Sequence, residues 1–164
     1  MKRLAVLGLA AALLLTACGG SGKKSAAEHQ LQVRADSYAI DGIEKTWHKA
    51  ASTQNVDLMM SIWAPDATFN IGPEILSGSA QIRNFFAKTA GPFQPGHHWV
   101  SDTPAYKVRI TVNGDKGTLY FECHYVDVAT SKVVSVVAAD QTVQRIDGKW
   151  LITSAAAATP KLAT

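Results

Sequence analysis

The stretch APDATFNIGPEILSGSAQIRNFF, residues 64–86, changes its periodicity halfway along. Ala67 to Ile71 and Ile75-Leu76 read as short strands on either side of Gly72-Pro73, two apolar runs parted by turn formers. From Ser79 the spacing lengthens, and Ile82, Phe85, Phe86 and Thr89 fall on one face of a helix that Gly91-Pro92 stops. Upstream, residues 34–53 place Ile40, Ile43, Trp47 and Ala50-Ala51 on one stripe of an otherwise polar helix. Asn55 caps a second short helix, expected to run through Trp63 until Pro65 ends it. Asp66, just after that proline, reads as a turn organiser rather than a functional carboxylate. Downstream the period falls to two. Four strands are expected at about 97–112, 118–128, 133–146 and 149–157, joined by turns at Asn113-Gly114, Thr130-Ser131 and Asp147-Gly148. Helices first and an antiparallel meander afterwards specify an α+β domain.

The 164 residues suffice for one ordinary domain, and the first part of the chain does not belong to it. Met1-Lys2-Arg3, an apolar run from Leu4 to Leu15, and Leu15-Thr16-Ala17-Cys18 have the form of a secretory leader ending in a lipobox. The expected order is a lipoprotein signal peptide over 1–17, then lipidated Cys18 and a flexible tether over 18–30. A folded domain over 31–158 and a short tail over 159–164 follow. The alternative is an ordinary signal peptide with a coincidental cysteine. Lipid on Cys18 would hold the protein on a membrane of a bacterial envelope, facing the periplasm or the exterior. Without Lys2 and Arg3 the chain carries 14 basic and 13 acidic residues, so no basic face and no nucleic-acid partner is expected. Cys123, in an apolar strand, reads as a small buried hydrophobe.

Four words in this order, SIWAPDATF, LSGSAQIRNFF, HHWV and RIDGKWLI, resemble the SnoaL-like branch of the nuclear transport factor 2-like superfamily. The resemblance covers about residues 34–157. It implies a cone-shaped, cystatin-like fold, with about three N-terminal helices packed on a curved antiparallel sheet. It does not imply an activity, because the fold serves isomerases, dehydratases, cyclases and plain binding proteins alike. The opening stretch is most similar to that of ketosteroid isomerase, a worked example of tuned carboxyl pKa values. The resemblance puts that enzyme's base at Ile71, its tyrosine at Trp47 and its protonated aspartate at Asp140. Two of the three cannot perform those roles, which argues against steroid-type isomerisation.

Strand parity places Leu119, Phe121, Cys123 and Tyr125 on one face with Val108 and Tyr106. A tight turn at Thr130-Ser131 would set Asp140 opposite Phe121 on that face, with His98 joining them unless Pro104 introduces a bulge. A His98–Asp140 pair in an apolar cone could do acid/base chemistry, or the two could simply satisfy each other. Trp47, Asn70, Tyr106 and Phe121 are the expected pocket residues. Tyr120, Glu122, His124 and His97 fall on the opposite face. Glu122 with His124 suits zinc by residue type, but no third or fourth ligand is specified by spacing, and neither metal nor cofactor is implied. That outer face could instead pair two copies as a homodimer. Three readings follow: a lipid-anchored domain binding a small, largely apolar ligand, an acid/base enzyme using His98 and Asp140, or an envelope accessory protein whose cone is plugged by aromatics.

Overall fold

The computed structural model describes residues 25–88, 105–127 and 129–162. The leader, Cys18 and most of the tether lie outside these residues, as do Gly91-Pro92, His97, His98, Trp99 and Pro104. Helix α1 spans Ala26–Ser52 and begins earlier than the apolar stripe suggests. Ser25 accepts from the Glu28 N–H while the Glu28 carboxylate accepts from the Ser25 N–H, a reciprocal cap that starts the helix inside the expected tether. Helix α2, Val56–Met60, is capped by Asn55, whose side chain accepts from Leu58 N–H at 2.8 Å. It ends three residues short of Trp63. Strand β1, Trp63–Ile71, takes over because Trp63 pairs with Ile152 and Ile152 N–H donates to the Ile62 carbonyl at 2.8 Å. A long-range ladder here overrides the local helix signal. Pro65 and Asp66 sit exposed where the register shifts between Trp63 and Thr68.

Strand β2 (Glu74–Ser77) and helix α3 (Gly78–Lys88) complete the opening stretch. Strands β3 (Ala105–Asn113), β4 (Lys116–Asp127), β5 (Lys132–Ile146) and β6 (Lys149–Ala158) form the meander. The six strands make one sheet in the order β2-β1-β6-β5-β4-β3. Every pair is antiparallel except β1 with β6, so the sheet is mixed. The helices lie on one face, and the core forms between them and the sheet around Ile40, Ile43, Phe121, Val143 and Ile152.

Two contacts seat α1. Asp36, buried one turn before Ile40, accepts from Arg145 at 2.6 Å and from the Trp150 indole at 3.2 Å. Burial alone would raise the Asp36 pKa, but these hydrogen bonds outweigh it and hold the carboxyl below its ordinary value. Further along, Ile40 rests on Gly117, where a Cβ would stand 3.2 Å from Ile40 Cδ1.

The β4–β5 hairpin departs from the expected tight turn. Asp127 pairs with Lys132 across a four-residue connection, and a bulge follows between Tyr125 and Val126. The two changes leave the ladder one residue out of the expected register. Asp140 therefore stands opposite Tyr120, and Ala139 takes the place opposite Phe121. A one-residue slip moves a side chain to the other face of the sheet.

Candidate functional site

A pocket of about 170 Å³ opens between α1, α3 and the helix-covered face of the sheet. Large rings line it from both layers: Trp47 on α1, Phe69 on β1, Phe85 and Phe86 on α3, and Phe121 on β4. Trp47 is the hub, 5.6 Å from Phe121 and 5.6 Å edge-on to Phe86, while Phe69 stacks on Phe86 at 5.8 Å. Small residues, Ala51, Ala139 and Ala157, lie among them in the lining and leave the space unfilled. Val137 also lines the pocket, and at 43 % exposure it marks where the pocket meets solvent. The wall is apolar almost throughout. Among the described residues its one ionisable side chain is Cys123, whose thiol pKa is pushed up by burial and by the neighbouring Glu44.

Of the expected pocket residues, Trp47 and Phe121 line this space, and so does Ile71. Tyr106 stands opposite Cys123 in the β3–β4 ladder. Asn70 does not reach the pocket: it lies between Phe69 and Ile71, both pocket residues, and strand alternation turns it to the other face. Asp140 is also excluded. It is exposed on the outer face and ion-paired with Lys161 at 3.1 Å. With Asp140 outside, the His98–Asp140 pair has lost the partner expected within the cone, and His98 itself lies outside the described residues.

Sequence reading missed the polar group that does reach the interior. Glu44 and His48 are 0 % and 5 % exposed, on the same stripe of α1 as Ile40. His48 Nδ1 is 3.5 Å from Glu44 Oε1 and 3.1 Å from Cys123 Sγ, and Cys123 Sγ is 3.7 Å from Glu44 Oε1. The second carboxylate oxygen, Glu44 Oε2, is buried with no hydrogen-bond partner among the described residues. The available signal was spacing, since Ile40, Glu44, Trp47, His48 and Ala51 follow the three-four repeat of one helix face.

On the outer face Glu122 is fully buried, because residues 159–162 fold over it instead of trailing away as a tail. Its carboxylate accepts from the Tyr120 hydroxyl and from the Lys161 and Leu162 amides, with His124 at 3.5 Å. Burial pushes the Glu122 pKa up, but these donors more than reverse that and hold it at about 2.

A family model described as "SnoaL-like domain" matches residues 32–156. The chain belongs to the SnoaL-like domain family. This SnoaL-like domain is also similar in structure to a cystatin-like, NTF2-like protein from Novosphingobium aromaticivorans, with TM-score 0.64 and 17% identity. That match covers 87% of this chain and 94% of the other. A protein of unknown function with a cystatin-like fold from Nostoc punctiforme gives TM-score 0.60 at 16% identity, covering 85% and 96%. An NTF2-like protein of unknown function from Pseudomonas putida gives 0.60 at 12% identity, covering 79% and 91%. At these identities the structural likeness shows the fold alone. No curated protein matches the chain in sequence.

Proposed function

We propose that this SnoaL-like domain, carried on a lipid anchor at Cys18 outside the cytoplasm, binds a small, largely apolar molecule about the size of one aromatic ring. The observation that carries the reading is the pocket itself. Its roughly 170 Å³ compares with the apolar cavity of about 150 Å³ that holds one benzene. Its rings offer edge-to-face contacts, and burying the ligand's apolar surface supplies the affinity. Orientation would come from the few polar atoms at the wall, Cys123 among them. The anchor rests on the leader and on the Ala17-Cys18 step.

The test is calorimetric titration with toluene and indole as one-ring probes and anthracene as an oversized one. One-ring probes should bind at one per chain with a negative heat-capacity change, and Ala139→Leu should weaken them at least tenfold while leaving the circular dichroism spectrum unchanged. Binding that is absent, or indifferent to Ala139→Leu, would refute it. That result would favour the accessory reading, in which Trp47, Phe85 and Phe86 are filling rather than walls. Mass spectrometry of the protein purified from membranes tests the anchor, with diacylglycerol on Cys18 expected and an unmodified thiol refuting it.

A further inference from the structure

We propose that Glu44, His48 and Cys123 form a site for one thiophilic divalent cation of the zinc type, set in the wall of the pocket. Three ligand types from two elements converge there, and the three donor atoms are 3.1, 3.5 and 3.7 Å apart. An ion bound tetrahedrally at about 2.0–2.3 Å from sulfur, nitrogen and oxygen puts its ligand atoms roughly 3.3–3.6 Å from one another. The triangle already comes close to that size before any ion enters. All three residues are at most 5 % exposed, and the cluster combines a thiolate-forming, an imidazole and a carboxylate ligand. That set selects zinc or cobalt over magnesium or calcium, which take oxygen ligands.

The alternative for a Cys–His–Glu group is a nucleophile with its base. Such a relay threads through the ring, the thiol on one imidazole nitrogen and the carboxylate on the other. Here both Glu44 Oε1 and Cys123 Sγ approach the same atom, His48 Nδ1. Convergence on one point suits a cation and does not suit a relay. A buried carboxylate also needs compensation, and Glu44 Oε2 finds no donor among the described residues. A divalent cation supplies it. On binding, the thiol proton of Cys123 leaves to solvent and the ion takes its place. Three protein ligands leave a fourth position for water or for a donor atom of a bound molecule. Cys123 belongs both to this cluster and to the pocket wall.

The test uses the full chain with Cys18→Ser and no histidine tag, so that Cys123 is the single thiol. Cobalt(II) is titrated after a chelator wash. One cobalt per chain should bind, with a thiolate-to-cobalt charge-transfer band and the strong visible bands of a tetrahedral ion. Cys123→Ser should abolish the charge-transfer band. Glu44→Gln and His48→Ala should each weaken binding by more than the roughly 10–100-fold that outer-shell changes cost. Folded protein that binds cobalt without the charge-transfer band, or binds none, overturns the proposal whatever the variants do. Binding that Cys123→Ser leaves intact overturns it as well. None of these outcomes depends on whether the pocket holds an apolar ligand.

Discussion

Replacing Gly117 with alanine sets two effects of opposite sign against each other. In the unfolded chain the change removes conformational freedom, which by itself stabilises by about 0.4–1 kcal/mol. In the folded chain the new Cβ would lie 2.6 Å from the Thr111 carbonyl oxygen and 3.2 Å from both Ile40 Cδ1 and Val143 Cγ2. The side-chain contacts could relax by a few tenths of an ångström. The carbonyl cannot, because Thr111 pairs with Thr118 beside the hairpin turn and its strand would have to move. Overpacking of this kind costs about 1–3 kcal/mol, and an immovable backbone atom puts this site in the upper half of that range. The net expectation is a loss of about 1–2.5 kcal/mol, which at about 2–4 °C per kcal/mol lowers Tm by roughly 2–10 °C. Urea melts with circular dichroism read the first number and calorimetry the second. A variant as stable as the parent, or more stable, would show that α1 does not press on the sheet at Gly117. Because Glu44 is one turn beyond Ile40, such a variant would also undermine the reach of Glu44 and His48 to Cys123.

Glu122 predicts an acid limb of stability. Its carboxyl titrates at about 2 when folded and near the ordinary 4.5 when unfolded, so the unfolded chain binds more protons between these values. Its contribution is therefore full above about pH 4.5 and lost as pH falls toward 2, and Glu122→Gln should flatten that part of a pH series of urea melts. Gln141 sits opposite the buried Leu119 with neither end of its amide hydrogen-bonded among the described residues, so Gln141→Leu should raise stability by about 1 kcal/mol in the same melts. Asp140→Asn should change stability by less than about 0.5 kcal/mol and leave one-ring probe binding unchanged, since it removes only an exposed pair with Lys161. A tenfold loss of binding in that variant would return Asp140 to the cone.

The fold was legible because it is written in local terms. Period two in residues 105–158, the turn at Asp147-Gly148, a turn signal at Asn113-Gly114 one residue before the actual Gly114-Asp115 loop, and the stripe Ile40, Ile43 and Trp47 each state their element without help from the rest. The half of the pocket made of rings, Trp47 and Phe121 above all, followed from the same patterns. Asp140 was misplaced because its face depends on a count through a hairpin whose loop length and bulge leave little mark in Val126 to Ser135. Trp63 was misread because the strand it joins is completed by Ile152, far along the chain. Glu44 and His48 were hidden by their own chemistry. A charged pair four residues apart on a helix ordinarily faces water, and these are buried because β4 brings Cys123 against them. The burial of Glu122 likewise depends on residues 159–162 coming back over β4.

The parallel pairing of β1 with β6 has a consequence for how the molecule comes into being. β6 is the last strand in the chain, yet it stands near the middle of the sheet, joining the β1–β2 pair to the three-stranded block β5-β4-β3. Thr68 and Ser154, which meet across that seam, are 86 residues apart in sequence. During synthesis the two halves can each gather their own hairpins, but the seam between them closes only when nearly the whole chain is free. Loop closure over such a span is slow, and until it happens β1 and β6 both expose open edges. A stalled or shortened chain would thus be left as two unjoined pieces with sticky flanks, rather than as a smaller version of the finished domain.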